Sequence, residues 1–342
     1  MVIGKKNLKA LSLEELETFI KASGLPLYRA KQLVHWIYEQ YAPSIQDITE
    51  FSKELREKLS ESAYISGMTV MDRQVSGEGT EKFLFALHDG ETIETVLLPD
   101  GNRLTLCISS QVGCAMNCGF CVTGTLGFKR NLAADEIVDQ LLTVGRIIKP
   151  RELTNIVFMG MGEPLANFDE VVTALWRITA YMKISPRRIT LSTAGIVPKI
   201  LEVSRKAPSV NLAVSLNATT DSVRDAIMPI NKTYSLRALL DACRRFPLKA
   251  GRRITFEYVL LKGVNARIED ARRLVILLKG IPSKVNLIPF NPCEGSEFRK
   301  PDDETVLAFQ EVLLKGGLTA FIRKSKGQDI RAACGQLKAG YR

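Results

Sequence analysis

Apolar residues recur at helical spacing through the first part of the chain. Ser12 and Glu15 have the spacing of a capping box, and Gly24 ends the segment that they begin. Helical periodicity returns in 27–38, and a third helix is expected from 52 to 63. Basic residues stand between the apolar ones. The pattern therefore predicts a small helical unit at the front of the chain.

The periodicity changes after about residue 70. Segments 82–87 and 92–98 are typical of strands, and Asp89-Gly90 between them is typical of a turn. A third run, 104–109, follows Gly101. These segments predict a short β-extension that leads into the main part of the chain.

Strands and helices then alternate to near the end of the chain, in six βα units. Six units in succession predict a parallel sheet covered by helices. Six are too few for a closed eightfold barrel, so an open doubly wound sheet or an incomplete barrel remains. An apolar run at 318–322 precedes a basic tail. The predicted strands are 104–109, 155–159, 188–192, 211–216, 254–260 and 284–289, and the predicted helices are 134–147, 168–182, 197–205, 235–246, 267–279 and 303–315.

Composition narrows the class of protein. No apolar run reaches the roughly 18 residues of a membrane span, and the first residues lack the apolar core of a secretory signal. We therefore expect a cytoplasmic protein with no membrane partner. A net charge of +10 and a pI near 9.2 indicate a polyanionic partner such as a nucleic acid, or simply a basic enzyme.

The cysteines carry the clearest chemistry. Three of the seven lie within Cys114-Ala-Met-Asn-Cys118-Gly-Phe-Cys121, after the first strand of the βα series, where active sites of parallel α/β folds lie. Three thiolates can hold three irons of a four-iron cluster and leave the fourth open. A structural zinc site normally takes a fourth Cys or His, and none stands nearby. Zinc and incidental buried thiols remain the alternatives.

A candidate cofactor pocket follows the next strands. Gly160-Met161-Gly162-Glu163 ends the strand at 155–159, where glycines let the backbone approach a ligand and Glu163 could accept a hydrogen bond from an ammonium group. Polar residues also follow later strands, and each alone is commonly a cap or turn former. Together they could orient a ribose or a carboxylate. They are Ser192, Ser215-Leu216-Asn217 and Asn291.

The cysteine motif in this position resembles the radical S-adenosylmethionine (SAM) superfamily. Gly160-Met161-Gly162-Glu163 is similar to its Gly-Gly-Glu segment, with Met161 altered. The resemblance implies an incomplete (β/α)6 barrel and a [4Fe-4S] cluster on Cys114, Cys118 and Cys121. It also implies that SAM chelates the open iron and is cleaved to a 5′-deoxyadenosyl radical.

Nearly the whole chain resembles the RlmN/Cfr family of RNA methyltransferases. One departure is Asn217, where many members have histidine. Because Asn can also donate and accept hydrogen bonds, we expect the cofactor pocket to keep its function. The matching segments are 28–32, 94–96, 109–114, 159–165, 228–231, 286–292 and 332–337.

The family resemblance implies the reaction and its residues. Cys334 would accept a methyl group from one SAM, and a radical from a second SAM would activate that methyl for addition to adenine. Glu94 would remove the ring proton as general base, and Cys107 would attack Cys334 to release the product. The expected product is adenine methylated at C2 in 23S rRNA, and in tRNA at position 37. The C8-methylating relatives that confer resistance share most of these motifs.

Without the family resemblance, the residues themselves give little support for these roles, because a lone cysteine commonly serves as a small buried hydrophobic residue. We expect Cys243 to be structural and Cys293 to be a loop residue without a role. Two other classes remain: a radical activase of a protein, which would not need Cys334 or Cys107, and a zinc-stabilised RNA-binding module.

The resemblance also implies partners and a domain division. Residues 1–70 would form an RNA-binding accessory domain, 71–103 a β-extension, and 104–342 the radical SAM core. Arg29, Lys31 and the basic stretch 323–326 are candidate phosphate contacts. An electron donor such as flavodoxin would supply the reducing electron.

Overall fold

The computed structural model of the chain describes residues 4–292 and 296–338. Cys293, predicted to be a loop residue without a role, lies outside the described residues. The helices are α1 (Leu13–Ala22), α2 (Tyr28–Tyr38), α3 (Lys53–Ser62), α4 (Val122–Thr125), α5 (Ala134–Ile148), α6 (Phe168–Ala180), α7 (Val197–Lys206), α8 (Asp221–Ile227), α9 (Leu236–Arg245), α10 (Ile268–Leu278) and α11 (Asp303–Lys315). The strands are β1 (Lys6–Asn7), β2 (Ala63–Tyr64), β3 (Thr69–Val75), β4 (Glu81–Ala86), β5 (Thr92–Asp100), β6 (Arg103–Cys107), β7 (Gln111–Gly113), β8 (Phe128–Asn131), β9 (Asn155–Phe158), β10 (Ile189–Thr193), β11 (Asn211–Ser215), β12 (Ile254–Leu260), β13 (Ser283–Pro289) and β14 (Thr319–Ile322).

Ten strands form one sheet in the order β14-β13-β12-β11-β10-β9-β6-β5-β4-β3. Seven strands of this sheet pair in parallel, namely β6 and β9 to β14, and β3, β4 and β5 extend the sheet as antiparallel neighbours. Strands β7 and β8 form a separate antiparallel pair. The six predicted βα units are confirmed, with helix and strand ends shifted by a few residues at most. The apolar run at 318–322 supplies β14, a seventh parallel strand beyond the six predicted.

The sheet has an inner and an outer face, which the residues of β12 illustrate. The Tyr258 ring packs against Phe309 of α11, with ring centroids 5.5 Å apart, so Tyr258 faces the helices. Successive side chains of a strand point to opposite faces, so Glu257 faces the interior. Cys107 at the end of β6 is paired with Val96 on β5, which places Glu94, two residues before Val96, on the same face as Cys107.

The front helices form as predicted. Ser12 and Glu15 make the expected capping box at α1, and α2 and α3 follow at the expected positions. This unit joins the core through buried polar contacts, which the sequence did not indicate. Lys9 forms a buried ion pair with Asp139 of α5, whose other oxygen accepts a hydrogen bond from Met68 N at 2.5 Å. The front unit is therefore fixed onto α5.

Sequence patterning missed several elements. The burial pattern of β3 is mostly exposed, so the strand lacks the apolar alternation that predicts a strand. The β7–β8 pair and helices α4 and α8 are too short for periodicity to reveal. Among the described residues, no helix combines the length and the apolar character needed to cross a bilayer.

Candidate active site

The three clustered cysteines lie on a loop between β7 and α4, above the carboxyl end of β6. Cys121 directly precedes α4, and its backbone N–H donates to Cys118 O at 3.0 Å, which closes a tight turn. The loop passes close to Gly124: a side chain at this position would place its Cβ only 3.1 Å from Cys118 N. The backbone is therefore wound closely around the three thiols.

The electrostatics of these thiols fit a metal cluster. Burial raises the pKa of Cys114 to about 11 and raises the pKa of Cys118 further, and the neighbouring thiols add to both shifts. Thiols in such surroundings stay protonated unless a cation compensates their charge, and cluster iron supplies that charge. Among the described residues, no three His, Cys, Asp or Glu side chains are arranged to hold a single metal ion. A cluster binds each thiolate through a different iron, so it does not need ligands that converge on one point.

The glycine turn after β9 packs directly against the approach to this loop. Gly162 has φ +99°, and a Cβ there would lie 2.5 Å from Gln111 Cβ. The turn is fixed further by Glu163 N, which donates to Gln111 Oε1 at 2.8 Å. Residue 162 must therefore be glycine for the turn to approach the loop that carries Cys114.

Glu163 is buried, and protein donors surround its carboxyl. It accepts from Thr193 Oγ1 at 2.7 Å, from Ala194 N at 2.6 Å and from Leu165 N at 3.0 Å. Burial raises the pKa of this carboxyl. Glu163 thereby ties the end of β10 to the glycine turn, and it lies close enough to Cys114 and Cys118 to influence their pKa.

The predicted polar strand ends are joined by a residue that sequence analysis missed. Arg224 of α8 is fully buried and donates to Leu216 O at 3.0 Å, Ala194 O at 2.7 Å and Ser215 O at 3.1 Å. Burial lowers its pKa to about 10, while Cys118 opposes that shift. Arg224 thus fixes two strand ends and places a positive charge near the cysteine loop.

The other predicted pocket residues have distinct surroundings. Asn217 has φ +57° and uses its amide within the protein: Val259 N donates to Oδ1 at 2.8 Å, and Nδ2 donates to Met228 Sδ at 3.1 Å. Ser192 is buried inside β10. Asn291, just after β13, donates to Cys334 O at 3.1 Å. Asn291 therefore contacts the segment of the predicted nucleophile.

The C-terminal segment crosses the edge of the sheet at which the parallel strands end, which we call the mouth. Cys334 lies on this segment. Val122 N donates to Gly335 O at 2.8 Å, and Thr123 Oγ1 donates to Leu337 O at 2.8 Å. These contacts hold the segment against the start of α4, beside the cysteine loop. The Cys334 side chain keeps access to solvent, as a nucleophile requires.

The Cys334 thiol lies close enough to Cys107 to influence the pKa of Cys107. The Cys334 thiol reaches solvent but lies against the packed interior, which raises its pKa, and Glu257 and Cys121 add to this shift. Burial also raises the pKa of Cys107 to about 12, with Cys334 contributing. Two thiols that are far apart in the chain thus lie within electrostatic range of each other.

Glu94 lies on the same inner face, with two partners for its carboxylate. Its Oε1 lies 3.1 Å from Lys82 Nζ, and its Oε2 accepts a hydrogen bond from Lys338 N at 2.8 Å. Both Glu94 and Lys82 side chains are largely buried. The residues predicted as nucleophile, resolving thiol and base are therefore assembled around one mouth.

Comparison with known proteins agrees with this arrangement. A family model described as the radical SAM superfamily matches residues 108–275, and one for the N-terminal domain of ribosomal RNA large subunit methyltransferases matches 6–65. A dual-specificity RNA methyltransferase RlmN of Pelobacter propionicus is 51% identical over 98% of this chain and 96% of its own length. The RlmN of Geobacter sulfurreducens is 53% identical over 97% of this chain and 92% of its own.

A solved structure supports the same grouping. The crystal structure of a radical SAM methyltransferase from Sphaerobacter thermophilus has a TM-score of 0.94 and 42% identity, and it covers 98% of this chain and 100% of that one. The chain belongs to the RlmN family of radical SAM RNA methyltransferases. It therefore uses a [4Fe-4S] cluster and SAM, with two SAM molecules per turnover as a property of the RlmN family.

Among the residues of this RlmN-family site that were not singled out in the sequence are Lys82, Glu257 and Arg224. Lys82 and Glu257 are charged residues on strands whose neighbours are mostly buried, and that contrast was a usable signal. Arg224 lies four residues before Met228-Pro229-Ile230-Asn231, a segment already matched to the family. Its role as a buried donor to distant carbonyls has no local sequence signal.

Proposed function

We propose that this chain methylates C2 of adenine in 23S rRNA and in tRNA at position 37, through a methyl group carried on Cys334. The observation that carries the proposal is the position of the C-terminal segment. It bonds both to the start of α4 beside the cysteine loop and to the Glu94 carboxylate. These contacts bring the segment of Cys334 beside Glu94 and the cysteine loop, although the three are far apart in the chain, and this supports the proposed roles.

The reaction needs a carrier because carbon 2 of adenine and the SAM methyl group are both electrophilic. Cys114, Cys118 and Cys121 would hold the cluster, and Gly162, Glu163, Ser192, Ser215, Leu216, Asn217 and Asn291 would surround SAM. The bound cluster and SAM supply a 5′-deoxyadenosyl radical. The Cys334 thiolate would attack the methyl carbon of the first SAM, S-adenosylhomocysteine would leave, and the S-methyl group on Cys334 would then face the RNA base.

Two further residues complete the cycle. Glu94 accepts the proton from carbon 2, with Lys82 as its counter-charge at 3.1 Å. The Cys107 thiolate would attack the Cys334 sulfur and form a disulfide as the bond from that sulfur to the RNA-bound CH2 breaks. The electron pair of the broken bond stays on carbon and takes up a proton, which completes the methyl group and frees the RNA. The influence of Cys334 on the pKa of Cys107, which requires the two thiols to be near each other, supports this second role.

The RNA would contact the basic front unit and the C-terminal basic stretch. The Arg29 guanidinium lies 5.1 Å from the ring centroids of both Tyr28 and Phe51, so it is held rigidly at the surface. Lys31, Arg323 and Lys324 are exposed, and the net charge of +10 favours a polyanion. We propose that residues 1–70 serve as the accessory RNA-binding domain, 71–103 as the β-extension and 104–342 as the catalytic core.

A cytoplasmic location and a flavodoxin-type electron donor complete the proposal. The absence of a membrane partner is part of the same proposal. RNA is the substrate class that the family implies, and a low-potential carrier must deliver the electron that SAM cleavage consumes.

The decisive experiment is anaerobic reconstitution of the cluster, reaction with labelled SAM and RNA, and chromatography of the digested nucleosides against standards. We expect 2-methyladenosine in 23S rRNA and tRNA. Finding 8-methyladenosine would assign the alternative C8 activity. Unmodified RNA together with a glycyl radical on a protein would overturn RNA methylation in favour of an activase.

A further inference from the structure

Gln140 of α5 has a fully buried side-chain amide that bonds to strand β5 and to the segment after β6 in the active site. Its Oε1 accepts from Thr95 Oγ1 at 2.7 Å and from Ser109 N at 2.8 Å, and its Nε2 donates to Ser109 O at 2.9 Å. Burying an amide is costly unless it is hydrogen-bonded, and here both ends are satisfied. We call Gln140, Thr95 and Ser109 the Gln140 hub. The hub joins β5 to the segment that follows β6.

The hub contacts the backbone of the proposed base directly. Ser109 Oγ donates to Glu94 O at 2.6 Å and accepts from Met161 N at 2.9 Å. The Glu94 backbone N–H donates a hydrogen bond to Met161 Sδ at 3.4 Å. The backbone carbonyl of Glu94 is therefore bonded to Ser109, and its backbone N–H is bonded to Met161 of the glycine turn, which Ser109 also contacts.

The helix that presents Gln140 is itself firmly anchored. Helix α5 is 15 residues long, and nearly all of one side is buried. Asp139, the residue before Gln140, takes the buried ion pair with Lys9 and the hydrogen bond from Met68 N. Gln140 thus acts from a rigid element that is fixed on both sides.

We infer that Gln140 is a positioning residue for proton removal, because it sets where the Glu94 carboxylate lies relative to the RNA base. The inference rests on the proposed role of Glu94. Proton transfer requires hydrogen-bond reach between base and substrate, and a displacement of about 1 Å can cost about 100-fold in rate. Methyl transfer to Cys334 does not use Glu94 as a base. The bonds from Val122 N to Gly335 O and from Thr123 Oγ1 to Leu337 O still hold the Cys334 segment when the Glu94 carboxylate shifts, so that step should not depend on the hub.

Methyl transfer to Cys334 and proton removal from the RNA base can be measured separately. Mass spectrometry of the Cys334 peptide measures methyl transfer to the thiol. A denaturing gel measures the covalent protein–RNA adduct, which persists when its ring proton is removed slowly. A purely structural role for Gln140 would lower both methylated Cys334 and methylated RNA, whereas a positioning role lowers only the second.

The test compares Gln140→Leu and Thr95→Val with Gln310→Leu in the reconstituted holoenzyme. Gln310 donates to Ala320 O at 2.9 Å between α11 and β14 and serves as the matched control. For Gln140→Leu we expect Cys334 methylation and the KM for RNA to stay within about twofold. RNA methylation should fall about 10- to 100-fold, with adduct accumulation. The control should match the unmodified enzyme.

Equal RNA yields for Gln140→Leu and the control would overturn the inference, and so would a matching fall in Cys334 methylation. Thr95→Val removes a single hydrogen bond of the hub and decides the question if Gln140→Leu does not fold. It should lower RNA methylation several-fold with the same adduct. An unchanged yield would contradict the inference.

The same change made in a Glu94→Gln variant separates this inference from the role proposed for Glu94. If Glu94→Gln keeps its full RNA yield, the role proposed for Glu94 is wrong. If Glu94→Gln loses its yield, adding Gln140→Leu should cause no further loss, because both act on one step. A further loss by the same factor as in the parent enzyme would disprove the positioning role and leave Glu94 as the base.

Discussion

The Glu94 carboxylate accepts a hydrogen bond from the backbone N–H of Lys338 at 2.8 Å, although the two residues are 244 positions apart in the chain. Lys338 lies four residues after Cys334. The proposed base therefore fixes the segment that carries the proposed nucleophile. A charge-assisted hydrogen bond of this kind is stronger than a neutral one, so it stabilises the segment over the mouth.

Replacing Cys334 with Ala should abolish RNA methylation without loss of iron. Cys334 is not one of the three clustered thiols, and the proposed methyl carrier has no substitute. Iron and sulfide content, together with peptide and nucleoside mass spectrometry, measure the two effects. Cys243→Ala is the matched control, because Cys243 is buried in α9 and should affect neither. Iron loss in Cys334→Ala equal to that in Cys118→Ala would contradict the assignment.

Replacing Gly162 with Ala should weaken SAM binding by about tenfold or more. The added Cβ would lie 2.5 Å from Gln111 Cβ, so the glycine turn must shift away from the cysteine loop. Equilibrium dialysis with labelled SAM measures the Kd.

Gly280→Ala is the control for Gly162→Ala. It shares the left-handed backbone, at φ +80°, but a Cβ there has no neighbour within 4 Å. Both variants should lose about 1–2 kcal/mol of stability from the backbone conformation. Equal SAM affinity in the two variants would show that the close approach at Gly162 is unimportant.

Replacing Asp139 with Asn should lower the free energy of unfolding by about 3–5 kcal/mol, because it leaves the buried Lys9 ammonium without a counter-charge. Burial already lowers the pKa of Lys9, which Asp139 partly offsets. The double change Lys9→Met with Asp139→Leu should recover much of the loss. Urea unfolding of the holoenzyme measures both.

The comparison for this ion pair is Lys183→Met, which removes a pair with Glu39 whose lysine is mostly exposed. An exposed pair contributes about 0–1 kcal/mol, so this change should be nearly silent. A loss in Asp139→Asn as small as that in Lys183→Met would mean that the front unit does not depend on the buried pair.

Glu257 should make the protein less stable as the pH rises. Burial raises the pKa of this carboxyl above its ordinary 4.5, with Asn286 donating to it at 2.9 Å and opposing the shift. The folded state then binds more protons than the unfolded state between 4.5 and the raised pKa. The stabilisation is full below 4.5 and is lost as the pH rises through the folded pKa.

Glu257→Gln removes this titration while it keeps an acceptor for Asn286. The variant should therefore gain stability relative to the parent protein as the pH rises from about 5 to about 8. Urea midpoints at several pH values measure the difference. A constant difference across that range would show that Glu257 does not titrate there.

Several active-site residues could be found from sequence because their signal is local. Cys114, Cys118 and Cys121 are recognisable from their spacing alone, and Gly162-Glu163 from its place after a strand. Arg224 could not be found in this way. Its three carbonyl partners come from the ends of two other strands, and nothing near Arg224 in the chain identifies them.

Gln140 and Glu163 show the same limit. Gln140 looks like an ordinary polar residue in an amphipathic helix, yet its amide joins Thr95 to Ser109. The sequence suggested that Glu163 could accept from a ligand, whereas the fold surrounds it with donors from Thr193 and Ala194. A hydrogen-bond partner distant in sequence cannot be inferred from periodicity.

The sequence by itself determined the alternating strands and helices, the thiol cluster and the family, because periodicity and motif spacing are properties of neighbouring residues. Only the tertiary structure brought Cys334, Cys107 and Glu94 to one mouth, fixed the front unit on α5, and added β14 to the sheet. The physical reason is that these contacts join residues far apart in the chain. Buried polar groups must find partners wherever the packed strands and helices place them.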